Sequence, residues 1–439
     1  MSAQNIITIP TAAWMPDSPS AVVTAFLNRP AFDASAETRA REMLADIQTN
    51  GDEAVARFIH QLDGAELAPG QFAVQRAELN AARTEVDAEF VSASREAHKR
   101  ILYFARASLK KDWSMSTPKG GTVGEQFAPL ERVGIYIPGG QAPLVSTALM
   151  TATLARAAGV QEIVACSPVD ASQRMNPYLL YALELAGATE IYKIGGVQAI
   201  GAMAYGAATL RKVDKIAGPG GTYVTAAKRC VYGHVALDLV AGPSEIAILA
   251  DDSAQPEAVA ADLLSQAEHG TGFEKALLVT VSSHLAAAVV EELHRQAETL
   301  SRRALITRVL TGGTLVVVVN HLDAGIELCN RFAPEHLEIM VREPRNWLKK
   351  VRHAGAVFVG AWTPECAGDF VAGPSHVLPT GGTARMFSGL TADDFRKRSS
   401  VIAFTRADLQ NALHVIEAFG RVEGLDAHTR SARIRFEKA

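Results

Sequence analysis

The chain has 439 residues, 48% of them hydrophobic and 21% charged, which is ordinary for a globular protein of about two or three domains. Its net charge of −4 argues against nucleic acid or an anionic membrane surface as a partner, and no apolar run approaches the roughly 20 residues of a membrane-spanning helix. No signal-peptide pattern opens the chain, and four widely spaced cysteines favour free thiols in the cytoplasm over a thiolate zinc site.

The first quarter of the chain is predicted to be an arm followed by helices. Residues 1–30 contain four prolines and no clear periodicity, so we predict an N-terminal arm lying on the rest of the molecule. Apolar residues then recur at helical spacing, which predicts helices at residues 36–50, 52–62 and 77–111.

From residue 133 onward, short apolar runs alternate with helical segments, which predicts parallel strands with helices on both faces. One such unit covers residues 133–240. The fold is therefore predicted to be α/β, with two doubly wound units of which this one is inserted in the other, made of residues 31–132 and 241–390. Residues 391–439 form a tail, whose last helix would be marginal alone and is expected to pack on another subunit or domain.

A tight turn at residues 218–221, Gly-Pro-Gly-Gly, follows a predicted strand and opens a predicted helix. Backbone N–H groups at such a turn can hold a phosphate. The dinucleotide fingerprint GxGxxG is absent, however, and a strand-to-helix turn needs glycine for steric reasons alone. The turn by itself is a weak sign of a nucleotide site.

Two segments place histidine beside other polar side chains. Gln266 and His269, three residues apart at the end of a predicted helix, project from nearly one face and can share a metal ion, but a helix-capping role for His269 explains this segment alone better. His336 beside Glu335 can act as a base near neutral pH. Adjacent residues on a helix do not face one another, so these two are expected to act separately, and exposed Glu-His pairs are common.

Two further candidates lie nearer the C-terminus. Asp369 and His376 flank a loop with glycine and proline and suit a metal or a substrate, although an Asx turn with a solvated histidine explains them equally well. Glu423 and His428 lie around Asp426, a natural N-cap, and that local explanation is sufficient.

Together and in this order, these segments resemble the histidinol dehydrogenase family over nearly the whole chain. The matching stretches are VGIYIPGG at residues 133–140, IGGVQAI at 194–200, VDKIAGPG at 213–220, AGPSE at 241–245, AADLLSQAEH at 260–269 and APEHLE at 333–338, with Gly368-Asp369 and Ala427-His428. No single stretch is decisive, but all of them in register are highly specific.

The resemblance implies a zinc- and NAD-dependent enzyme that oxidises histidinol to histidine in two consecutive hydride transfers, the last step of histidine biosynthesis. It also implies two incomplete Rossmann-like domains and a homodimer that exchanges small terminal domains. By family pattern, the zinc ligands are Gln266, His269, Asp369 and His428, the last supplied across the dimer interface. Zinc in such a shell mainly holds the substrate nitrogens in place.

The same resemblance assigns the remaining roles. His336 corresponds to the general base that removes the alcohol proton, and Glu335 to the residue that activates water before the second hydride transfer. The substrate contacts, besides the zinc ligands and His336, are Ser244, His376 and Glu423. The positions that contact NAD are Tyr136, Gln198 and Gly221.

Three positions depart from the family pattern. Gly221 stands where the family usually has an asparagine that binds NAD, a loss of about 1 kcal/mol in hydrogen bonding. Ser375 replaces an asparagine and Val197 an alanine. These changes leave open a sister enzyme for another small primary alcohol, such as a sulfonated diol. A non-catalytic NAD- or metal-binding regulator, against which Glu335 and His336 argue, and a purely structural oligomer are the remaining alternatives.

Overall fold

The computed structural model describes residues 8–18, 20–28, 34–139, 144–240, 242–269 and 271–437. Two parallel sheets and one antiparallel sheet organise these residues. Residues 1–7, 19, 29 and 30 of the predicted arm lie outside them, as do Gly140 and Ala241 of the family-like stretches. Among the helices described, none combines the length and apolar composition needed to cross a membrane.

The first sheet contains six parallel strands. They are β1 (Thr11–Ala13), β9 (Glu245–Ala250), β10 (Lys275–Thr280), β11 (Thr314–Val318), β12 (His336–Met340) and β13 (Ala356–Val359). Their order is β1-β11-β10-β9-β12-β13. The helices around this sheet are α1 (Ala21–Leu27), α9 (Pro256–Ala267), α10 (Ser283–Ala297), α11 (Arg303–Gly312), α12 (Leu322–Phe332) and α13 (Glu365–Phe370). Strands β9 and β10 consist mainly of buried apolar residues, because helices cover both faces of the sheet.

The second sheet contains five parallel strands. They are β4 (Arg132–Tyr136), β5 (Glu162–Cys166), β6 (Glu190–Tyr192), β7 (Lys215–Ala217) and β8 (Ala236–Leu237), in the order β6-β5-β4-β7-β8. Its helices are α2 (Ala34–Asp63), α3 (Arg76–Glu85), α4 (Ala88–Ser108), α5 (Val145–Ala158), α6 (Pro177–Ala186), α7 (Gly196–Tyr205) and α8 (Thr222–Val231). Helix α2 kinks at Gly51, whose φ of +52° suits glycine, and the two helices predicted there meet at this residue.

The third sheet is small and antiparallel. It consists of β2 (Trp113–Ser116), β3 (Thr122–Pro129) and β14 (Arg396–Ala403), in the order β14-β3-β2. After it come α14 (Arg406–Glu423) and α15 (Asp426–Arg433), which pack against each other. Neither this sheet nor α14 was predicted from the sequence, because β14 is largely exposed and lacks alternating apolar residues.

The predicted α/β fold with parallel sheets is confirmed, and the packing differs from the prediction in two places. Helices α2, α3 and α4 contribute to the core of the five-stranded sheet, whereas the sequence grouped residues 31–132 with residues 241–390. The arm does more than lie on the surface, because β1 extends the six-stranded sheet and α1 buries Val23 and Phe26. Helical periodicity predicts which residues of a helix are buried but not which sheet buries them.

Candidate active site

Three elements converge at the amino edge of the six-stranded sheet. Helix α9 runs back to this edge and has Gln266 in its last turn, with His269 just beyond its end. Strand β12 begins at this edge with His336. The short helix α13 approaches the same place because Gly368 packs directly on the Phe358 ring, where a Cβ would lie only 2.7 Å from the ring carbons. The structure therefore brings together side chains that are up to about a hundred residues apart in sequence.

His336 and Gln266 form a buried hydrogen-bonded pair. Nδ1 of His336 lies 3.0 Å from Oε1 of Gln266. An amide oxygen only accepts, so Nδ1 bears the proton and Nε2 keeps its lone pair. Burial lowers the pKa of His336 to about 3, which keeps the ring neutral at physiological pH. Within the described residues, Nε2 has no hydrogen-bond partner, so its lone pair is available to a reacting proton.

Two carboxyl groups and a second histidine face the free nitrogen of His336. His269, Glu365 and Asp369 each offer one ligand atom, and these atoms lie within 4.8 Å of one another. Nε2 of His336 lies 4.0 Å from Oε1 of Glu365 and 4.0 Å from Oδ1 of Asp369. Burial raises the pKa of Glu365 to about 7 and that of Asp369 to about 6. A divalent cation bound here would favour the charged carboxylates and offset the cost of burying them.

Glu365 was not predicted from the sequence. It begins α13, four residues before Asp369, so the two carboxyl groups lie one helical turn apart. A prediction of that short helix would have linked Glu365 to Asp369. The loop predicted around Gly373 and Pro374 is confirmed, but Asp369 lies in α13, which ends just before that loop.

Glu335 lies immediately before β12, and the helix expected around it is wrong because a strand begins at His336. Its Oε2 accepts a hydrogen bond of 3.1 Å from the backbone N–H of Glu245 and lies 3.8 Å from Nδ1 of His336. Burial raises the pKa of Glu335 well above its ordinary value. Ser244, the half-buried residue before β9, adjoins this contact.

His376 is held in place and is not solvated, so the Asx-turn alternative with an exposed histidine is wrong. Its Nδ1 donates to the backbone carbonyl of Asp369 over 3.0 Å. Its Nε2 lies 3.2 Å from Oγ1 of Thr147 on α5, so the hydroxyl donates to the ring. Burial lowers the pKa of His376 to about 4. Since α5 follows β4, this contact joins the candidate site to the carboxyl edge of the five-stranded sheet.

A second group of predicted residues lies at that carboxyl edge. The hydroxyl of Tyr136, at the end of β4, accepts a 3.1 Å hydrogen bond from the N–H of Gly196. Buried Gln198 donates from Nε2 to Asp63 over 3.3 Å, and its Oε1 has no partner among the described residues. Gly221 is the N-cap of α8, and a Cβ built on it would have no heavy atom within 4 Å.

A buried ion pair holds the glycine turn before α8 in place. Lys228 and Asp238 contact each other over 2.5 Å with side chains almost inaccessible to solvent. Asp238 accepts from the N–H of Gly218 over 2.8 Å, and Lys228 donates to the Gly218 carbonyl over 2.9 Å. The steric need for glycine at this turn is confirmed, because Gly218 has φ of +116° and its Cβ would lie 2.1 Å from the carbonyl oxygen of Tyr136.

Two of the predicted site residues are not in this site. Glu423 at the end of α14 and His428 on α15 are exposed, and His428 is not in the metal-ligand group found among the described residues. Within a single chain the structure brings together Gln266, His269, Glu335, His336, Asp369 and His376, and it leaves the two tail residues apart from them.

The chain is similar to histidinol dehydrogenases over almost its whole length. A family model described as histidinol dehydrogenase matches residues 27–436. The histidinol dehydrogenase of Moorella thermoacetica is 47% identical over 399 residues, which cover 91% of this chain and 94% of the relative. That of Heliobacterium mobile is 45% identical over 406 residues, which cover 92% and 95% of the two chains.

Two solved structures are similar to this chain, one in sequence and fold and the other in fold alone. The crystal structure of histidinol dehydrogenase from Elizabethkingia anophelis superposes with a TM-score of 0.92 at 36% identity, and the match covers 97% of this chain and 98% of that one. An acetylating aldehyde dehydrogenase from Geobacillus thermoglucosidasius reaches a TM-score of 0.50 at 14% identity over 85% of this chain and 98% of its own. The second likeness concerns the fold alone.

Proposed function

Because the chain belongs to the histidinol dehydrogenase family, we propose that it oxidises L-histidinol to L-histidine, the last step of histidine biosynthesis. The alcohol, two NAD and one water give the carboxylate, two NADH and three protons, through an aldehyde. The observation that best supports this chemistry is the pair of His336 and Gln266, a buried neutral imidazole whose free nitrogen faces a group of metal-ligand side chains. The reported relatives lend no support to a sulfonated-diol oxidase.

The proposed zinc ligands are Gln266, His269, Asp369 and His428 of the partner subunit. The donor types fit, since an amide oxygen, a carboxylate and two imidazoles suit zinc. The positions fit as well, because Asp369 and His269 already lie in one compact group, and Glu365 offers a further carboxylate there. When bound, the metal would hold the substrate nitrogens and fix the reacting carbon in place. The same ligands are thus proposed as substrate contacts, with Ser244, His376 and Glu423.

We assign the proton transfers to His336 and Glu335. Nε2 of His336 would take the alcohol proton while hydride leaves for NAD, because Nδ1 is already committed to Gln266. Glu335 would take a proton from the water that attacks the aldehyde. Its raised pKa makes it a stronger base once it is ionised, and its bond from the Glu245 N–H holds the carboxylate in one orientation.

We place NAD at the carboxyl edge of the five-stranded sheet, against Tyr136, Gln198 and the turn at Gly221. Counting from β4, the five strands have the order 3-2-1-4-5, and β9 to β13 have the same order in the other sheet. This supports two Rossmann-like units, one inserted in the other, with a ligand crevice where the strand order reverses. The unpartnered Oε1 of Gln198 is a free acceptor at this edge.

We also propose a homodimer that exchanges its terminal segments. The tail exposes many large apolar side chains, which is costly in a monomer: Val401, Ile402, Phe404, Val415, Phe419, Val422 and Ile434. Burying them against a second copy would remove this cost and can bring Glu423 and His428 to the partner's site. The four unpaired cysteines support a reducing cytoplasm as the place of action.

The test is the number of NADH formed per L-histidinol by the zinc-loaded protein, with histidine measured as the product. About two NADH per substrate are expected for the two-step oxidation. His336→Asn is the matched control and should retain zinc while losing turnover. No NADH from histidinol, together with activity on another primary alcohol such as a sulfonated diol, would overturn the proposal.

A further inference from the structure

Glu338 is a buried carboxyl group that the proposed chemistry does not use. It lies two residues after His336 on β12, so the two side chains leave the strand on the same face. Its exposed fraction is only 1%. Burying a carboxyl group is costly unless its oxygens are satisfied by neighbours. The neighbours of Glu338 therefore indicate what this side chain does.

One oxygen of Glu338 fixes the start of α13. Oε1 accepts a 2.8 Å hydrogen bond from the backbone N–H of Glu365, the first residue of that helix. The first N–H groups of a helix have no partner within it, so an acceptor at this point holds the helix end in place. Because α13 contains both Glu365 and Asp369, the position of the carboxyl group of Glu338 determines where these two groups lie relative to β12.

The carboxyl group of Glu338 also contacts that of Asp262 on α9. Burial and the neighbouring Asp262 carboxyl raise the pKa of Glu338 well above its ordinary value. Asp262 lies one helical turn before Gln266, just as Glu338 lies one strand repeat after His336. Helix α9 and strand β12 are thus joined by two successive contacts, Gln266 with His336 and Asp262 with Glu338.

Helix α13 is fixed to the same framework at a second point. The hydroxyl of Ser265 on α9 donates to Oε2 of Glu365 over 2.9 Å. Glu365 is therefore held by its backbone to Glu338 and by its side chain to Ser265. Its remaining oxygen, Oε1, faces Nε2 of His336 and has no hydrogen-bond partner among the described residues. From β12, Glu338 therefore contacts α9 through Asp262 and fixes the start of α13 by a hydrogen bond.

We propose that Glu338 is a positioning residue, which joins β12 to α9 and α13 and so sets the placement of Asp369 and Glu365 relative to the base His336. This inference rests on the proposed function, because His336 and Asp369 have their roles only in that reaction. Groups that orient metal ligands and bases typically affect metal affinity or activity about 10- to 100-fold when they are removed. The same range is expected here.

The test compares the wild type with Glu338→Gln, Glu338→Met and Glu338→Asp. Glutamine keeps the acceptor for the Glu365 N–H and offers a donor to Asp262, so E338Q should retain zinc affinity and turnover to within a few-fold. Methionine fills the space without an acceptor, and aspartate withdraws the carboxyl group by one methylene. E338M and E338D should both lose about 10- to 100-fold in zinc affinity and in kcat. If E338M does not fold, E338D provides the same comparison.

Zinc affinity is measured by competition with a chelator, turnover by NADH formation, and folding by the melting temperature. A purely structural role would lower the melting temperature and leave zinc affinity unchanged in the folded protein. Wild-type zinc affinity in E338M or E338D would overturn the inference, and so would an E338Q variant as impaired as E338M. If the wild type does not oxidise histidinol, the proposed function fails, and the order of zinc affinities still decides this inference.

Discussion

Oε1 of Gln266 accepts a hydrogen bond from Nδ1 of His336 over 3.0 Å, and the same amide oxygen is the one expected to bind zinc. One side chain thereby couples the proposed metal to the proposed base. An oxygen with two lone pairs can serve both partners at once. The orientation of the His336 ring and its protonation at Nδ1 follow from this contact.

We expect Gln266→Glu to keep zinc and to shift the pH dependence. A carboxylate still accepts from Nδ1, but its negative charge favours the imidazolium and so raises the pKa of His336, which burial holds at about 3. Activity requires the neutral ring, so the acid limb of kcat/KM should move to higher pH. Gln266→Met is the control and should lose zinc affinity about 10- to 100-fold. An unchanged acid limb in Q266E would mean that the side chain at position 266 does not influence the pKa of the base His336.

Mixing two inactive variants tests whether His428 acts across a dimer. In a heterodimer of His336→Asn with His428→Ala, one site combines both defects and the other has neither. Random exchange of subunits should therefore restore about a quarter of the wild-type activity, since about half the dimers are heterodimers with one intact site each. The control pairs His336→Asn with Asp369→Ala, residues of the same site in one chain, and should restore nothing. Lack of recovery in the first mixture would place His428 outside the partner's site.

Glu335→Gln should separate the two oxidations. An amide cannot take a proton from water, so the aldehyde should form and its oxidation should fail, leaving about one NADH per histidinol in place of two. In the wild type, the raised pKa of Glu335 means that the reactive carboxylate becomes more abundant as pH rises, so oxidation of added aldehyde should accelerate with pH. Two NADH per histidinol from E335Q would mean that Glu335 is not required for the oxidation of the aldehyde.

The metal-free protein should lose stability as pH rises toward neutrality. Burial raises the pKa of Glu365 from 4.5 to about 7, so its contribution to stability is fully present below pH 4.5 and is lost as pH rises through about 7. Melting temperatures of chelator-treated protein should fall more steeply over this range for the wild type than for Glu365→Gln, which does not titrate. The histidines whose pKa is lowered by burial contribute equally to the pH dependence of stability in both proteins, so they do not affect the comparison. Equal slopes would contradict a protonated Glu365.

The sequence predicted the parallel sheets because their strands are short apolar runs at regular spacing. It also predicted a helix that contains Gln266, which α9 confirms, whereas His269, predicted on the same helix, lies two residues beyond its end. Glu365 and Glu338 could not be found in this way. Their role depends on α13 lying against β12 and α9, a long-range contact permitted by the missing side chain at Gly368. Periodicity describes a single element and contains no information on such contacts.

Gly221 offers a direct test of the proposed NAD site. It caps α8 with φ of −66°, a conformation open to any residue, and the space around its Cβ position is empty. Gly221→Asn should therefore fold without strain and add a side chain that can hydrogen-bond both to the helix N-terminus and to a ligand. A recovered hydrogen bond of about 1 kcal/mol corresponds to about fivefold tighter NAD binding. Gly221→Ala is the control, because it fills the space without a hydrogen-bonding group. Titration of NAD against both variants should show the gain in affinity only in G221N. Equal affinities in the two variants would mean that no side chain at position 221 contacts NAD. The proposed cofactor site would then depend on Tyr136 and Gln198 alone.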